Sequence, residues 1–238
     1  SQLKRNSAFS GSGCGATGGI FMTARWSAGI GSFGAEKLFI ACDFDGTITR
    51  NDTLHLIVAR YGEPGLWEAI EPRLRAGELT LEQAMQEEFA GVRATPEQVR
   101  DLVLREAGLR AGFSEFVAWA RDRGHRLVVL SSGFRSVIDA VLERWGLGHL
   151  EVASHEAEFT PRGTRLVWAD RGERCAVCGR RCKRHDVRVR HDGETLVLVG
   201  DGVSDRCVAR MAEVVFARAH LSRDLTADGV PFVPFEDF

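Results

Sequence analysis

Three of four short apolar runs in this sequence end abruptly in carboxylates or hydroxyls beside a glycine, and this pattern constrains the fold most strongly. The runs are Lys37–Asp45, Arg126–Ser132, Thr195–Asp201 and Glu213–Ala217. Short uninterrupted apolar runs are typical of strands buried on both faces. The segments with helical periodicity around them are Phe113–Arg123, Arg135–Trp145 and Ser204–Ala212. This alternation predicts an α/β fold with a parallel sheet, in which ligands bind beyond the carboxyl ends of the strands.

A segment with a different pattern lies between the first two runs. Residues 54–109 show helical periodicity punctuated by glycines, and two threonines, Thr80 and Thr95, are placed as N-caps. The predicted helices are Leu54–Tyr61, Pro64–Ala76, Thr80–Ala90 and Pro96–Ala107. A small helical insert directly after the first polar strand end is well placed to act as a cap that excludes water and selects substrate. We therefore predict a catalytic core formed by residues 36–53 and 110–238, with residues 54–109 as the cap.

The N-terminal segment, residues 1–35, shows neither the period of a strand nor that of a helix and is rich in Gly, Ser and Ala. We expect it to be flexible or vector-derived, with Met22 as a plausible natural start. The stretch lacks the apolar central region of a signal peptide.

Charge and hydropathy narrow the classes of function. The 31 Lys and Arg residues nearly balance the 33 Asp and Glu residues, so the chain has no global positive field for nucleic acid or an anionic membrane. No run approaches the ~18 apolar residues of a membrane span. Six cysteines in 238 residues are too sparse for a disulfide framework. We expect a cytoplasmic protein with neither a membrane nor a nucleic acid as partner.

The carboxylates at the first and third strand ends indicate metal-assisted chemistry. Asp43 and Asp45 are two positions apart, where both can point into one cavity, and their mutual repulsion predicts a divalent cation between them. Hard oxygen ligands favour Mg²⁺. Asp43 is suited to attack phosphorus and Asp45 to move a proton. Asp201 and Asp205 supply further negative charge for the metal.

Two other residues are candidates for holding phosphoryl oxygens. Ser131 ends the second apolar run, and Lys183 precedes the third. Lys183 is notable because only three of the 31 cations are lysine, and it is the only lysine after position 37. A compact ammonium is suited to a point contact that a wide guanidinium cannot make.

These motifs, taken in order, resemble those of the haloacid dehalogenase superfamily, in its aspartate-nucleophile phosphatase branch. The motifs are Asp43-x-Asp45-Gly-Thr47, the hydroxyl of Ser131, Lys183, and Gly200-Asp201-Gly202-x-x-Asp205. The resemblance covers residues 37 to 238 and implies a Rossmann-like core with a small helical cap inserted after the first motif. The second aspartate of the first motif, which true dehalogenases lack, is present here.

The resemblance also implies a role for each motif residue. Asp43 is expected to form an aspartyl-phosphate, and Asp45 to act as general acid and then general base. The residues implied as phosphoryl binders are Thr47, Ser131 and Lys183. The implied Mg²⁺ ligands are Asp43, the backbone carbonyl of Asp45, Asp201 and, directly or in support, Asp205.

We expect the partner to be a small phosphorylated metabolite, and a narrower resemblance concerns its identity. Residues 61–76, 79–89 and 215–235, together with the cysteine loop, are similar to the methionine-salvage phosphatases that act on 2-hydroxy-3-keto-5-methylthiopentenyl-1-phosphate. The phosphoserine phosphatases share part of the Gly200–Asp205 loop and are the alternative.

The cysteine loop allows a third alternative from another class of protein. Cys175, Cys178, Cys182 and His185 are four potential zinc ligands, and eight cations lie within residues 171–190. A zinc knuckle with a basic collar would bind nucleic acid. Against this, the loop contains no aromatic residue to stack on bases. We therefore favour reduced thiols in a loop that positions Lys183, with structural zinc left open.

Overall fold

The structure is a computed structural model that describes residues 36–238. The expected flexible segment, residues 1–35, lies outside the described residues. The strands are β1 (Leu38–Cys42), β2 (Arg126–Phe134), β3 (Glu151–Thr160), β4 (Gly163–Val167), β5 (Thr195–Gly200), β6 (Val214–Ala217) and β7 (Val233–Pro234). The helices are α1 (Thr53–Tyr61), α2 (Leu66–Arg75), α3 (Leu81–Ala90), α4 (Pro96–Glu106), α5 (Phe113–Asp122), α6 (Arg135–Arg144), α7 (Lys183–Arg188), α8 (Arg206–Ala209) and α9 (Ala219–Asp228).

The strands form one seven-stranded sheet in the order β4-β3-β2-β1-β5-β6-β7. All neighbours are parallel except β4, which pairs antiparallel with β3. The chain runs outward from β1 in both directions, so the strand order reverses beside β1. Such a switch point opens a crevice at the carboxyl ends of the strands. The predicted fold class, a Rossmann-like parallel sheet with flanking helices, is confirmed.

Strand β1 shows why the apolar runs lack alternation. All five of its residues are buried. Leu38 and Ile40 pack into a core cluster on one face of the sheet, whereas Phe39 and Ala41 pack into a second cluster on the other face. A strand covered on both faces needs apolar side chains at every position.

The predicted helices are present with small shifts at their ends. Thr80 and Thr95 are the N-caps of α3 and α4, and each threonine forms a reciprocal capping box with a glutamine three residues later. Strands β3, β4 and β7 and helices α7 and α9 were not predicted from the sequence. In β3, charged residues such as Glu156 and Glu158 interrupt the apolar pattern, because this part of the strand belongs to an exposed edge hairpin.

The helices of residues 54–109 divide between two apolar clusters. Helices α1 and α4 contribute residues such as Ile57 and Val103 to the main core cluster. A smaller separate cluster contains Ile70, Leu79 and Ala84, from α2, the loop after it and α3. Within residues 36–238, no helix combines the length and apolar character that crossing a membrane requires.

Candidate active site

The turn after β1 places Asp43 and Asp45 at the switch point. The backbone N–H of Asp43 donates to Val199 O at 2.9 Å, which extends the β1–β5 pairing by one residue. The chain then turns through Phe44–Ile48, where Gly46 has φ of +73°. A Cβ at Gly46 would lie 2.3 Å from Asp201 Oδ2. Glycine is therefore required here both by the backbone conformation and by the close approach of the Asp201 loop.

Three of the predicted aspartates meet in one cluster. Carboxylate oxygens of Asp43, Asp201 and Asp205 all lie within 4.8 Å of one another. Burial raises the pKa of Asp43 to about 6, with the charge of Asp201 adding to the rise and Lys183 opposing it. Burial, followed by the charge of Asp205, likewise raises the pKa of Asp201 to about 6. The cluster therefore holds more negative charge than its protein surroundings balance.

Lys183, the first residue of α7, lies between two of these carboxylates. Its Nζ donates to Asp43 Oδ1 at 2.5 Å and to Asp205 Oδ1 at 2.8 Å. Only 1% of the residue is exposed. Burial alone would lower the pKa of Lys183, but Asp205 and Asp43 raise it above its ordinary value, so the ammonium is charged.

The other carboxylate oxygens of the acidic loop have distinct partners. Asp205 Oδ2 accepts the backbone N–H groups of Asp201 and Gly202, both at 3.2 Å. Both oxygens of Asp205 thus already have protein partners, and the side chain holds the loop in shape. Thr47 Oγ1 donates to Asp201 Oδ1 at 3.2 Å. The hydroxyl of Thr47 therefore orients Asp201 in this structure, and its predicted contact with phosphate stays a prediction.

Asp45 faces the first turn of α1. Its Oδ1 accepts the backbone N–H of Thr53 at 2.7 Å and the Thr53 hydroxyl at 2.5 Å. Burial and then the charge of Asp52 raise the pKa of Asp45 well above its ordinary value, which favours the protonated form that a general acid needs.

Ser131 lies on the same side of the site as Asp45. Its Oγ accepts the backbone N–H of Gly133 at 2.8 Å. A Cβ at Gly133 would lie 3.0 Å from Asp45 Oδ2 and 3.2 Å from Ser131 Oγ, so both side chains flank this glycine. The hydroxyl proton of Ser131 remains available to an incoming oxygen.

Two arginines that bind the Phe44–Ile48 turn were not predicted from the sequence. Buried Arg110 donates to Gly46 O and Thr47 O, each at 2.7 Å, and to Glu236 O at 2.9 Å. Arg218 donates to Gly46 O at 2.6 Å. These arginines belong to no local motif, because they are 64 and 172 residues from Gly46.

Arg171 is a third residue whose position was not predicted. It was counted among the eight cations of a basic collar, but only 3% of it is exposed. It pairs with Asp186 at 2.7 Å and donates to Ser131 O at 2.9 Å, which supports the end of β2. With Lys183 also buried and Arg190 paired with Glu151 at 2.9 Å, the described structure gives no support to a basic nucleic-acid surface.

The cysteine loop differs from the prediction in one ligand. Thiol groups of Cys175, Cys178 and Cys182 converge, but the fourth member of the cluster is Cys207 of α8 and not His185. The ring of His185 lies against Gly172, where a Cβ would be 2.7 Å from the ring. Position 185 was inferred from spacing alone, and the turn of α7 directs its side chain elsewhere.

The donor set of the aspartate cluster suits a hard divalent cation. All its side-chain donors are oxygens, and three carboxylates are opposed by a single ammonium. The residues present therefore fit Mg²⁺. The predicted ligand role of the Asp45 carbonyl stays a prediction.

The fold and the site together define an α/β enzyme whose aspartates and lysine meet at the switch point of a parallel sheet. Residues 40–210 match the haloacid dehalogenase-like hydrolase family, and the chain belongs to this family. Its expected enzyme class is confirmed: the chain is a phosphatase of this family, a phosphoric monoester hydrolase.

Two relatives are 2-hydroxy-3-keto-5-methylthiopentenyl-1-phosphate phosphatases. The one from Geobacillus kaustophilus (strain HTA426) is 33% identical over 209 residues, which cover 85% of this chain and 93% of the relative. The one from Brevibacillus brevis (strain 47 / JCM 6285 / NBRC 100599) is 28% identical, over 86% of this chain and 93% of the relative. A solved structure of a phospho-aspartyl intermediate analogue of phosphoserine phosphatase superposes with a TM-score of 0.65 at 20% identity, covering 85% of this chain and 94% of that one. At this identity the likeness shows the fold alone.

Proposed function

We propose that this chain is a Mg²⁺-dependent phosphomonoesterase that acts through an aspartyl-phosphate on Asp43. The observation that carries this proposal is the contact between Lys183 Nζ and Asp43 Oδ1 at 2.5 Å within the aspartate cluster. The buried ammonium favours the ionised form of Asp43 and orients its Oδ1 atom, as a carboxylate nucleophile requires.

The proposed reaction has two steps. In the first, an Asp43 oxygen forms a bond to phosphorus while the bond from phosphorus to the ester oxygen breaks, and Asp45 gives its proton to the leaving alkoxide. In the second, Asp45 takes a proton from water, the water oxygen attacks phosphorus, and inorganic phosphate leaves with Asp43 regenerated. One carboxyl thus acts first as acid and then as base.

The remaining residues bind charge during this reaction. Lys183 and the hydroxyl of Ser131 are proposed to hold phosphoryl oxygens, with Thr47 contributing directly or by orienting Asp201. Asp43 and Asp201 are proposed to hold Mg²⁺, with Asp205 in support. When bound, the cation neutralises the carboxylates and the phosphoryl charge, so that an anionic substrate is able to approach.

We propose 2-hydroxy-3-keto-5-methylthiopentenyl-1-phosphate as the substrate. The relatives named for this substrate match the chain over most of both lengths, which supports the assignment. Phosphoserine is the comparison substrate, because the fold is shared with a phosphoserine phosphatase. Residues 54–109 are proposed to cap the site, since Thr53 at the start of α1 already contacts Asp45.

The test is the Asp43→Asn variant, assayed with p-nitrophenyl phosphate and with both proposed substrates in the presence of Mg²⁺. We expect kcat to fall by at least about 10³-fold, because an amide is a poor nucleophile. Asp192→Asn, an exposed carboxyl far along the chain, is the matched control and should keep full activity. Wild-type turnover by Asp43→Asn would refute the nucleophile. A higher kcat/KM for phosphoserine than for the pentenyl phosphate would refute the substrate alone.

A further inference from the structure

Four of the five cysteines within residues 36–238 form a site of their own, apart from the aspartate cluster. The Sγ atoms of Cys175, Cys178, Cys182 and Cys207 all lie within 4.8 Å of one another, and all four residues are free cysteines. Three come from the loop before α7, and the fourth comes from α8, which follows β5 in the chain. Cys207 is buried, Cys175 and Cys182 are partly buried, and Cys178 is exposed. The fold thus brings four sulfur atoms together from two separate segments of the chain.

The backbone around the first two cysteines forms a closed turn. Cys175 N–H donates to Arg180 O, and Gly179 N–H donates to Cys175 O, both at 2.8 Å. Gly179 adopts φ of +67°, which reverses the chain directly after Cys178. Within the turn, the backbone N–H of Val177 points at Cys175 Sγ, at 3.4 Å. A backbone N–H directed at sulfur stabilises a thiolate, which is the form that binds metal.

We propose that Cys175, Cys178, Cys182 and Cys207 bind one structural Zn²⁺ ion. Four sulfur donors with a Cys-x2-Cys pair are typical of closed zinc sites. A zinc ion with sulfurs at about 2.3 Å has them about 3.8 Å from one another in a tetrahedron, which fits within the observed spread. Sulfur donors exclude Mg²⁺, which prefers oxygen. On binding, the four thiols release their protons.

The charge of the loop supports this assignment. Zn²⁺ with four thiolates carries a net charge of −2, which must be balanced nearby. Arg174, Arg180 and Arg181 lie in the same loop, and Arg174 Nη1 donates to Gly179 O at 3.1 Å. These three arginines, which belong to the group of cations that suggested a nucleic-acid surface from sequence, are thereby accounted for as counter-charge of the metal site.

The zinc site would position the catalytic lysine. Cys182 directly precedes Lys183, and Cys207 follows Asp205 by two residues. Lys183 and Asp205 are the pair joined at 2.8 Å in the active site. Zinc would therefore hold the two segments that carry this ion pair at a constant distance from each other. This role goes beyond the proposed phosphatase activity and does not depend on the identity of the substrate.

The experiment measures zinc directly. The protein is expressed with zinc in the medium and purified without chelator. Its metal content is measured by mass spectrometry. In a second measurement the thiols are titrated with a mercurial while a zinc-sensitive dye reports the zinc that is released. We expect one zinc per chain, which is kept in excess MgCl₂ and released as the mercurial modifies the thiols. Because four of the six cysteines are the proposed ligands, at least four thiols should titrate after denaturation with EDTA and without reductant. Fewer than four would show that ligand cysteines are oxidised in disulfides and would overturn the proposal.

Two variants distinguish the four-cysteine site from the site expected from sequence. Cys207→Ala should reduce bound zinc to less than about a tenth of an equivalent, whereas His185→Gln should keep one equivalent. Loss of zinc from His185→Gln with retention by Cys207→Ala would overturn the ligand assignment. Should Cys207→Ala fail to fold, cobalt-substituted wild-type protein gives the answer, because four thiolates produce stronger sulfur-to-cobalt charge-transfer bands than three. Wild-type protein that holds no zinc after reconstitution under reducing conditions would overturn the proposal altogether.

Discussion

At the scale of single residues, Lys183 combines two requirements that no other side chain meets. It must fill a fully enclosed space, and it must donate to Asp43 and Asp205 at 2.5 and 2.8 Å at once. An ammonium is small enough to do both. A guanidinium carries the same charge but is wider and planar, so it cannot occupy the same point.

Lys183→Arg tests this requirement for shape. We expect kcat to fall by at least about 10²-fold. Overpacking should also cost about 1–3 kcal/mol of folding free energy, which a stable domain tolerates. The measurements are steady-state kinetics and near-ultraviolet circular dichroism. Arg184→Lys, the reverse change at the next position, is the control and should leave kcat close to the wild-type value. Retained turnover in Lys183→Arg would show that charge alone is sufficient.

Glu88 is a buried residue that no sequence pattern singled out. It lies on α3 and is 5% exposed. Burial raises its pKa from 4.5 to about 8, and the nearby carboxyls of Asp52, Glu71 and Glu87 add to the rise. Between these two pH values the folded state binds more protons than the unfolded state. The free energy of unfolding therefore falls as pH increases from 4.5 through about 8.

Glu88→Gln should remove this pH dependence, because the amide has no proton to lose. We expect the variant to gain at least about 1 kcal/mol over wild type at pH 9 relative to the difference between them at pH 5. Urea unfolding at the two pH values gives the comparison. Glu82→Gln, exposed on the same helix, should show no such gain. An equal effect of Glu88→Gln at both pH values would contradict the shifted pKa.

The site residues that were predicted from the sequence lie in short local motifs, whereas the residues that were missed do not. Asp43, Asp45, Asp201 and Asp205 lie in short motifs at strand ends, where the topology of a parallel sheet dictates that they meet. Arg110, Arg171, Glu88 and Cys207 have neighbours in the structure that lie far from them in the chain. Arg110 resembles any other arginine until the fold brings it to Gly46. Contacts of this kind depend on tertiary packing and leave no local periodicity or spacing to detect.

At the scale of elements, helix α1 links the proposed cap to Asp45, the proposed proton donor. Its first residue, Thr53, gives Asp45 Oδ1 two hydrogen bonds, one from the backbone and one from the side chain. The orientation of Asp45 is thus set by the element that begins the proposed cap. A movement of α1 would therefore also turn Asp45, the proposed general acid.

Thr53→Val should weaken this link while keeping the shape of the side chain. We expect kcat for an alkyl phosphate to fall by about 10- to 10²-fold, since the acid is less well oriented. Hydrolysis of p-nitrophenyl phosphate should fall much less, because its leaving group needs little protonation. Thr53→Ser keeps the hydroxyl and is the matched control. Equal losses with both substrates would indicate that Thr53 has a structural role only.

The elements that were predicted share one property. Strands β1, β2, β5 and β6 are largely buried, so their sequences are almost continuously apolar. Helices α3 and α4 have threonine N-caps, which are recognisable in the sequence. The β3–β4 hairpin is partly exposed and carries charges along its length, which removes the apolar signal. Helix α7 spans only six residues, too few for an amphipathic pattern.

At the scale of the whole molecule, the aspartate cluster stores electrostatic repulsion that a cation would relieve. Three carboxylates share one ammonium, and Asp43, Asp201 and Asp205 each have a pKa raised to about 6 by burial. Cation binding to the folded state alone therefore couples to global stability.

Mg²⁺ at about 100 times its Kd should stabilise the fold by about 2.7 kcal/mol, which corresponds to about 5–10 °C in Tm for a chain of this size. Scanning calorimetry with and without MgCl₂ provides the measurement, and NaCl at the same ionic strength is the control. Asp201→Asn should lose most of the shift. If Tm is unaffected by MgCl₂ in wild type, the proposed cation site is contradicted.

The outward growth of the sheet from β1 also has a consequence for synthesis on the ribosome. Asp43 emerges early, whereas Lys183 is translated 140 residues later and Asp201, the partner of Thr47, later still. At about 5–20 residues per second, Asp43 is synthesised about 7–28 s before Lys183, its counter-charge. A nascent chain that ends before Lys183 and Asp201 therefore lacks two residues of the proposed active site, and hydrolysis of phosphate esters is expected only after both have been made.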